Sequence, residues 1–334
     1  MIAQHSVLVQ LVRLVDRLPA AASSRSAPPR RRRRGRPHVY SDTLFLKALV
    51  IMTVRRLHKV GELLAVLEEP TPEMIALRES LSGPEGRFPC RRTFERRLRA
   101  LPEALPERIG CLGRHLVGLL KPWTKTGRAA AIDSTVLRAR GGVWHKKDKE
   151  AGIVPHSSID TEAGWTKSGW HGWVYGWKLH LACTVAGVWI PLSARLTPAN
   201  VHDGRVAPLL IEELPDEARF VLGDKGYDAK DLKRRCLEEG RFMVSPKRGA
   251  YPHTDPGAQV RRIFHLLRHR AIENLNGHFK ALFDCQGSVP TKGQADTARF
   301  ALGAVFVYQL ALLHRHHEQH SDTNAGLKAF LRAA

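Results

Sequence analysis

The sequence predicts an α/β protein in which a basic, helical N-terminal third precedes a mixed sheet flanked by helices. Two apolar strands that each deliver an aspartate are the first sign: Ala129-Ala130-Ala131-Ile132-Asp133 and Phe220-Val221-Leu222-Gly223-Asp224. The second is the succession of apolar patterns after residue 127, which reads strand, strand, strand, helix, strand, helix, strand, helix. The third is charge. Of a formal net +21, the first 128 residues hold 25 Lys+Arg against 11 Asp+Glu, and the other 206 hold 28 against 21. The excess is concentrated in the N-terminal third, which points to a polyanion bound mainly there.

At 334 residues the chain is long enough for two domains. No segment reaches the roughly 18 uninterrupted apolar residues of a spanning helix, so no membrane partner is expected. Arg13 and Asp16 interrupt the first apolar run, and no basic segment precedes it, unlike a signal peptide. Cys90, Cys111, Cys183, Cys236 and Cys285 lie far apart, so neither a zinc site nor a disulfide framework is indicated. The expected location is the cytoplasm, at the nucleoid.

In order along the chain, residues 2–18 place Leu8, Leu11, Val12, Val15 and Leu18 on one helical face, consistent with a packed N-terminal helix. Residues 19–41 turn to Ala, Ser, Pro and Arg, a linker by composition. Within it, Arg30, Arg31, Arg32, Arg33, Arg34 and Arg36 make a basic arm. Arg34-Gly35-Arg36-Pro37 is similar to the core of a minor-groove hook, and a sequence-independent phosphate clamp is the other reading. Residues 42–125 read as a helical DNA-binding domain, with helices over 42–58 and 60–69, a short one within the stretch 88–99, and another over about 104–120. In the third of these, Phe94, Leu98 and Leu101 form an inner face, while Arg91, Arg92, Arg96, Arg97 and Arg99 surround it. That distribution suits a major-groove reader; a solvated basic helix is the alternative.

Residues 126–320 carry the sheet, with an inserted loop over 139–176, and 321–334 form a tail. The loop is polar and glycine-rich, and Trp144, Trp165, Trp170 and Trp173 in it form either a small core or a base-stacking surface. A hairpin-like pair of strands, 177–185 and 188–196, turns about Ala186-Gly187. Lys178 and His180 share one face of the first strand, where DNA phosphate contact and plain exposure are both open. Asp203 is the expected N-cap of a helix over 203–213, with a fourth acidic ligand as the other reading. Then come the Asp224 strand, a helix over 229–239, a strand over 241–245, one long helix over 259–283, and a last apolar helix over 298–314. The terminal His314, His316, His317 and His320 read as a solvated helix end.

This element order is the ribonuclease H-like α/β plan, in which Asp133 and Asp224 lie on adjacent central strands. A third acid would come from the long helix, where Ile272, Leu275, Phe279 and Leu282 pack inward and Glu273 flanks that stripe. Alone, Asp224 could equally cap the glycine turn that follows it. Three such acids suit phosphodiester chemistry with two magnesium ions, manganese being the alternative.

These residues give the chain a family resemblance. Gly35-Arg36-Pro37-His38-Val39-Tyr40-Ser41-Asp42, Ile132-Asp133-Ser134-Thr135, Tyr175-Gly176-Trp177-Lys178-Leu179-His180, Thr197-Pro198-Ala199-Asn200-Val201-His202-Asp203, Asp224-Lys225-Gly226-Tyr227 and Ile272-Glu273-Asn274 with Lys280 carry it. The chain resembles DDE transposases of bacterial insertion sequences, which join an N-terminal helical DNA-binding domain to a ribonuclease H-like core. The resemblance implies an acidic triad of Asp133, Asp224 and Glu273 holding two Mg2+ ions. It also implies double-stranded DNA partners, both element ends and target, and assembly as a homodimer or larger on DNA. The family's last helix usually reads Tyr, two residues, Arg, three residues, Glu, six residues, Lys. Glu273 and Lys280 fit, whereas Leu266 and His269 stand at the tyrosine and arginine positions, with Arg268 and Arg270 beside them. His269, Arg270 and Lys280 are thus the expected phosphate contacts. The departures leave two other readings: a relic that binds DNA without cutting it, and a metal-dependent nuclease without strand transfer.

Overall fold

Among the described residues, every regular element up to Leu120 is a helix, and the first strand begins at Ala129. The computed structural model describes residues 6–19, 39–123, 128–169, 172–246, 257–283, 287–319, 321 and 323–333. The arginine arm, Trp170 and His320 lie outside these described residues.

Helix α1 (Val7–Leu14) starts at Ser6, whose hydroxyl accepts from the Val9 N–H at 3.3 Å. Its residues Leu8, Val9, Leu11, Val12 and Leu14 are buried, so it is a packed helix. Ser41 and Thr71 cap α2 (Asp42–Val54) and α4 (Pro72–Ser80) in the same way, on either side of α3 (Val60–Leu67). α2 stops four residues short of the expected 42–58, where Arg56 takes a left-handed φ of 54°. α5 (Arg91–Ala100) and α6 (Leu105–Leu120) follow.

The sheet has six strands: β1 (Ala129–Arg138), β2 (Gly164–Ser168), β3 (Gly172–Thr184), β4 (Pro191–Pro198), β5 (Phe220–Leu222) and β6 (Phe242–Val244). β3 is antiparallel to β1, β2 and β4, while β1, β5 and β6 run parallel. The inserted region is more regular than its composition suggested. It holds the short helix α7 (Lys146–Glu150) and β2, and β3 begins at Gly172, ahead of the expected 177. Aromatic pairing explains this, since Trp165 and Tyr175 face each other across β2 and β3 with ring centroids 5.2 Å apart.

α8 (Asp203–Glu212) and α9 (Lys230–Glu238) connect the later strands. His202, not Asp203, caps α8: its Nδ1 accepts from the Gly204 N–H at 3.1 Å. The expected long helix is two helices, α10 (Ala258–Arg268) and α11 (Asn274–Leu282), joined by a π-helical turn over His269–Glu273.

α12 (Gln294–Gln319) is buried at nearly every position from Thr297 to Arg315 and packs against α6, β4 and α2. Its 26 residues are long and apolar enough to cross a membrane, but 94% of its most apolar window is buried within the protein. At Gly113, α6 approaches β4 so closely that a Cβ would stand 2.7 Å from the Pro191 carbonyl oxygen. His314 is buried rather than solvated, its Nε2 2.7 Å from Gln10 Oε1, which ties α12 to α1. α13 (Leu327–Ala333) ends the described chain.

Candidate functional site

β1 and β5 bring the first two aspartates together. Ala129, Ala130 and Ala131 pair with Phe220, Val221 and Leu222; Asp133 and Asp224 each follow two residues after the last pair, close enough for their charges to interact. Ala129 to Ala131 are fully buried on β1, which lies between β3 and β5, and Asp133 further along it is largely covered. Asp133 Oδ1 accepts from the Ser134 N–H at 2.8 Å. Asp224 Oδ1 accepts from the Gly226 N–H at 2.7 Å, an Asx turn that fixes the carboxylate at the strand tip. Asp224 thus caps the turn, and its charge is felt at Asp133. Burial pushes the Asp133 carboxyl up to about 6, opposed by the Arg268 guanidinium and the Ser134 N–H and aided by the Asp224 charge. An anion so placed calls for a cation.

That cation is Arg268. Its side chain is buried, its Nη1 donates to Asp133 Oδ2 at 3.0 Å, and its Nη2 lies 3.9 Å from Glu273 Oε1. Glu273 is half-exposed, and its Oε2 stands 3.1 Å from His269 Nε2. His269 thus pairs with the third acid, while Arg270 is exposed and Lys280 half-buried. Among the described residues no three His, Cys, Asp or Glu side chains gather closely enough to hold a metal ion. Asp133 and Asp224 are joined, and Glu273 is linked to Asp133 only through Arg268. The donor set still suits a divalent ion: it consists of hard carboxylate oxygens, and the guanidinium already stands in for a positive charge between two of them.

Behind the aspartates lies a second polar cluster. Lys178 and His180 are neither exposed nor turned toward the surface. Lys178 Nζ donates to Asp203 Oδ1 at 3.0 Å and to the Val201 carbonyl at 3.2 Å. His180, fully buried, has Nδ1 3.7 Å from Asp203 Oδ1 and Nε2 2.9 Å from Thr197 Oγ1. Burial pushes His180 down to about 4, against the pull of Asp203 and with that of Lys178. The face they share packs against α8, so of the two readings Lys178 is not plainly exposed. Tyr227 is buried with its hydroxyl unpartnered; burial first, then the Asp133, Asp203 and Asp224 carboxylates, holds it well above its ordinary value. Sequence reasoning passed over Asp203 as an ion-pair partner. The alternation of Lys178 and His180 within an otherwise apolar strand was the signal.

On α5, Phe94 and Leu98 are buried as expected. Arg97 pairs with Asp42, and its guanidinium lies 4.6 Å from the Phe45 ring centroid. Arg91 donates to Glu95 at 2.8 Å, whereas Arg92 and Arg96 are exposed. In the insert, Trp144 and Trp165 form a small core, Trp165 Nε1 donating to the Trp144 carbonyl at 2.8 Å, while Trp173 is 66% exposed.

A mixed sheet that carries Asp133 within its central strand and Asp224 just past the neighbouring parallel strand, after a run of helices, is the arrangement of a transposase-class catalytic domain. A family model described as Transposase DDE domain matches residues 124–310, more than half of the sequence, and the chain belongs to that family. A transposase for insertion sequence element IS1106 from Neisseria meningitidis serogroup B is 32% identical over 122 residues. The match spans 34% of this chain and 41% of that relative's length. The cryo-EM structure of the piggyBac transposase synaptic complex with hairpin DNA covers 98% of this chain and 75% of its own, with 11% identity and a TM-score of 0.41.

Proposed function

We propose that the chain is an insertion-sequence transposase that binds terminal inverted repeats, cuts a phosphodiester at the element end and joins the freed 3′-hydroxyl to target DNA. The observation that carries this reading is the parallel pairing of β1 with β5, beyond which Asp133 and Asp224 lie close enough for their charges to interact. Order along the sheet, with β4 and β1 on β3 and then β5 and β6, supports a ribonuclease H-like core. The helices over residues 42–125, with the arm before them, serve as the DNA-binding part.

Asp133, Asp224 and Glu273 are the residues that would hold divalent ions, Mg2+ or Mn2+. Such ions, when bound, supply Lewis-acid activation of the attacking and leaving oxygens. The Ser134 and Gly226 N–H groups orient the two aspartates, and the Lys178–Asp203 pair braces β3 against α8 behind them. His269, Arg270 and Lys280 lie along the π turn and α11, where DNA phosphate would approach Glu273. Assembly as a homodimer or larger on DNA follows from the need to hold two element ends at once.

A second reading, a DNA-binding relic, draws on the Arg268–Asp133 contact, which occupies one acid. Incubation of the purified chain with Mg2+ and a DNA fragment bearing the element ends separates them. Cleavage with joined 3′ ends supports the transposase, cleavage without joining a nuclease, and binding alone a relic.

A further inference from the structure

The π turn and the buried Arg268 belong together. In an α-helix, residues five apart sit roughly 140° away from each other, so Arg268 and Glu273 would point to different sides. A π turn closes i→i+5 and stacks such residues on one face. The turn over His269–Glu273 begins immediately after Arg268, and this brings the guanidinium to the side of the helix where it reaches both Asp133 and Glu273. Arg268 is 6% exposed, yet its Nε is buried with no partner. Buried donors are nearly always satisfied, so this guanidinium sits in a place that holds its charge without fitting its full donor set.

We propose that Arg268 is a built-in counter-ion that competes with the divalent metal for Asp133, and so sets the metal affinity of the site. This rests on the assignment of Asp133, Asp224 and Glu273 as metal-holding acids. Without metal, Arg268 neutralises Asp133 and draws Glu273 toward it. A divalent ion on Asp133 removes the need for that contact and repels the guanidinium, which must withdraw. Arg268 is thus a positioning residue: it keeps two like charges together until a stronger cation arrives.

The test is binding of Mn2+ to the full-length protein, followed by calorimetry and by the electron-spin signal of free Mn2+, with no DNA and no turnover. Arg268→Gln removes the charge and keeps a donor; Arg268→Lys keeps the charge and guards against a glutamine variant that fails to fold. Arg268→Gln should bind Mn2+ at least about tenfold more tightly than the wild type, with Arg268→Lys in between. Adding Asp133→Asn should abolish that gain. Metal-free Arg268→Gln should also melt lower than the wild type and recover more on adding Mn2+. If Arg268→Gln binds Mn2+ no better than the wild type while Asp133→Asn weakens binding, the counter-ion role is wrong and the acid site stands. If Asp133→Asn leaves Mn2+ binding unchanged, the acid site itself is wrong, and the counter-ion role falls with it.

Discussion

Lys178 Nζ donates to Asp203 Oδ1 across 3.0 Å and so joins the middle of β3 to the first turn of α8. Both side chains are largely covered, and breaking such a pair from one side strands the other charge. Lys178→Met or Asp203→Asn should each lower stability by roughly 1–3 kcal/mol. The double variant should lose less than the sum. Urea unfolding of the four proteins checks this, and strict additivity would remove the pair from the account.

His180 makes the folded state sensitive to acid. Burial holds it at about 4, whereas the free side chain titrates at 6.5. Between those values the unfolded chain takes up a proton that the folded chain refuses. The stability it contributes is complete above pH 6.5 and is lost as pH falls toward 4. The full difference converts to roughly 3 kcal/mol as an upper bound. Asp133 has the opposite sign in the same window: its folded value of about 6 lies above 3.8, so its contribution is complete below 3.8 and lost as pH rises through 6. His180→Asn should therefore fall less in stability than the wild type between about pH 6.5 and 4. Parallel profiles for the two proteins would contradict the buried neutral histidine.

The arginines of α5 divide into two kinds. Arg97→Ala removes the Asp42 pair and the contact with Phe45, and should cost about 1 kcal/mol of stability. Arg92→Ala with Arg96→Ala should leave stability unchanged and weaken DNA binding, reducing the salt dependence of log K by about two phosphates. Fluorescence anisotropy over a salt series measures this. An unchanged slope removes α5 from the DNA interface.

Much of this layout was legible because it rests on short-range patterns. The alanine run before Asp133 and the Phe220-Val221-Leu222 triplet mark buried strands, and their spacing around the intervening elements implies neighbours in the sheet. Phe94 and Leu98 similarly announced the inner face of α5. Other features depended on distant contacts that no local pattern encodes. The pairing of Lys178 was not legible because its partner, Asp203, arrives with the helix after the next strand. The pairing of Arg97 was hidden in the same way, because Asp42 lies far away in sequence. The π turn was illegible for a different reason: a helix with one extra residue per turn keeps the same apolar stripe on either side. The early start of β3 was masked by glycines and tryptophans that pair only once β2 is beside them.

The central claim is that Asp133, Asp224 and Glu273 form one catalytic site, and cleavage of an element-end DNA in Mg2+ tests it most directly. Asp133→Asn, Asp224→Asn and Glu273→Gln should each abolish cleavage and strand transfer. DNA-end binding should remain near the wild-type level, and combined changes should be no worse than single ones, because the acids act as a unit. Glu212→Gln and Glu238→Gln, on α8 and α9, should cut normally. Substantial cleavage by Glu273→Gln, with loss in either control, would contradict the account and move the third acid elsewhere.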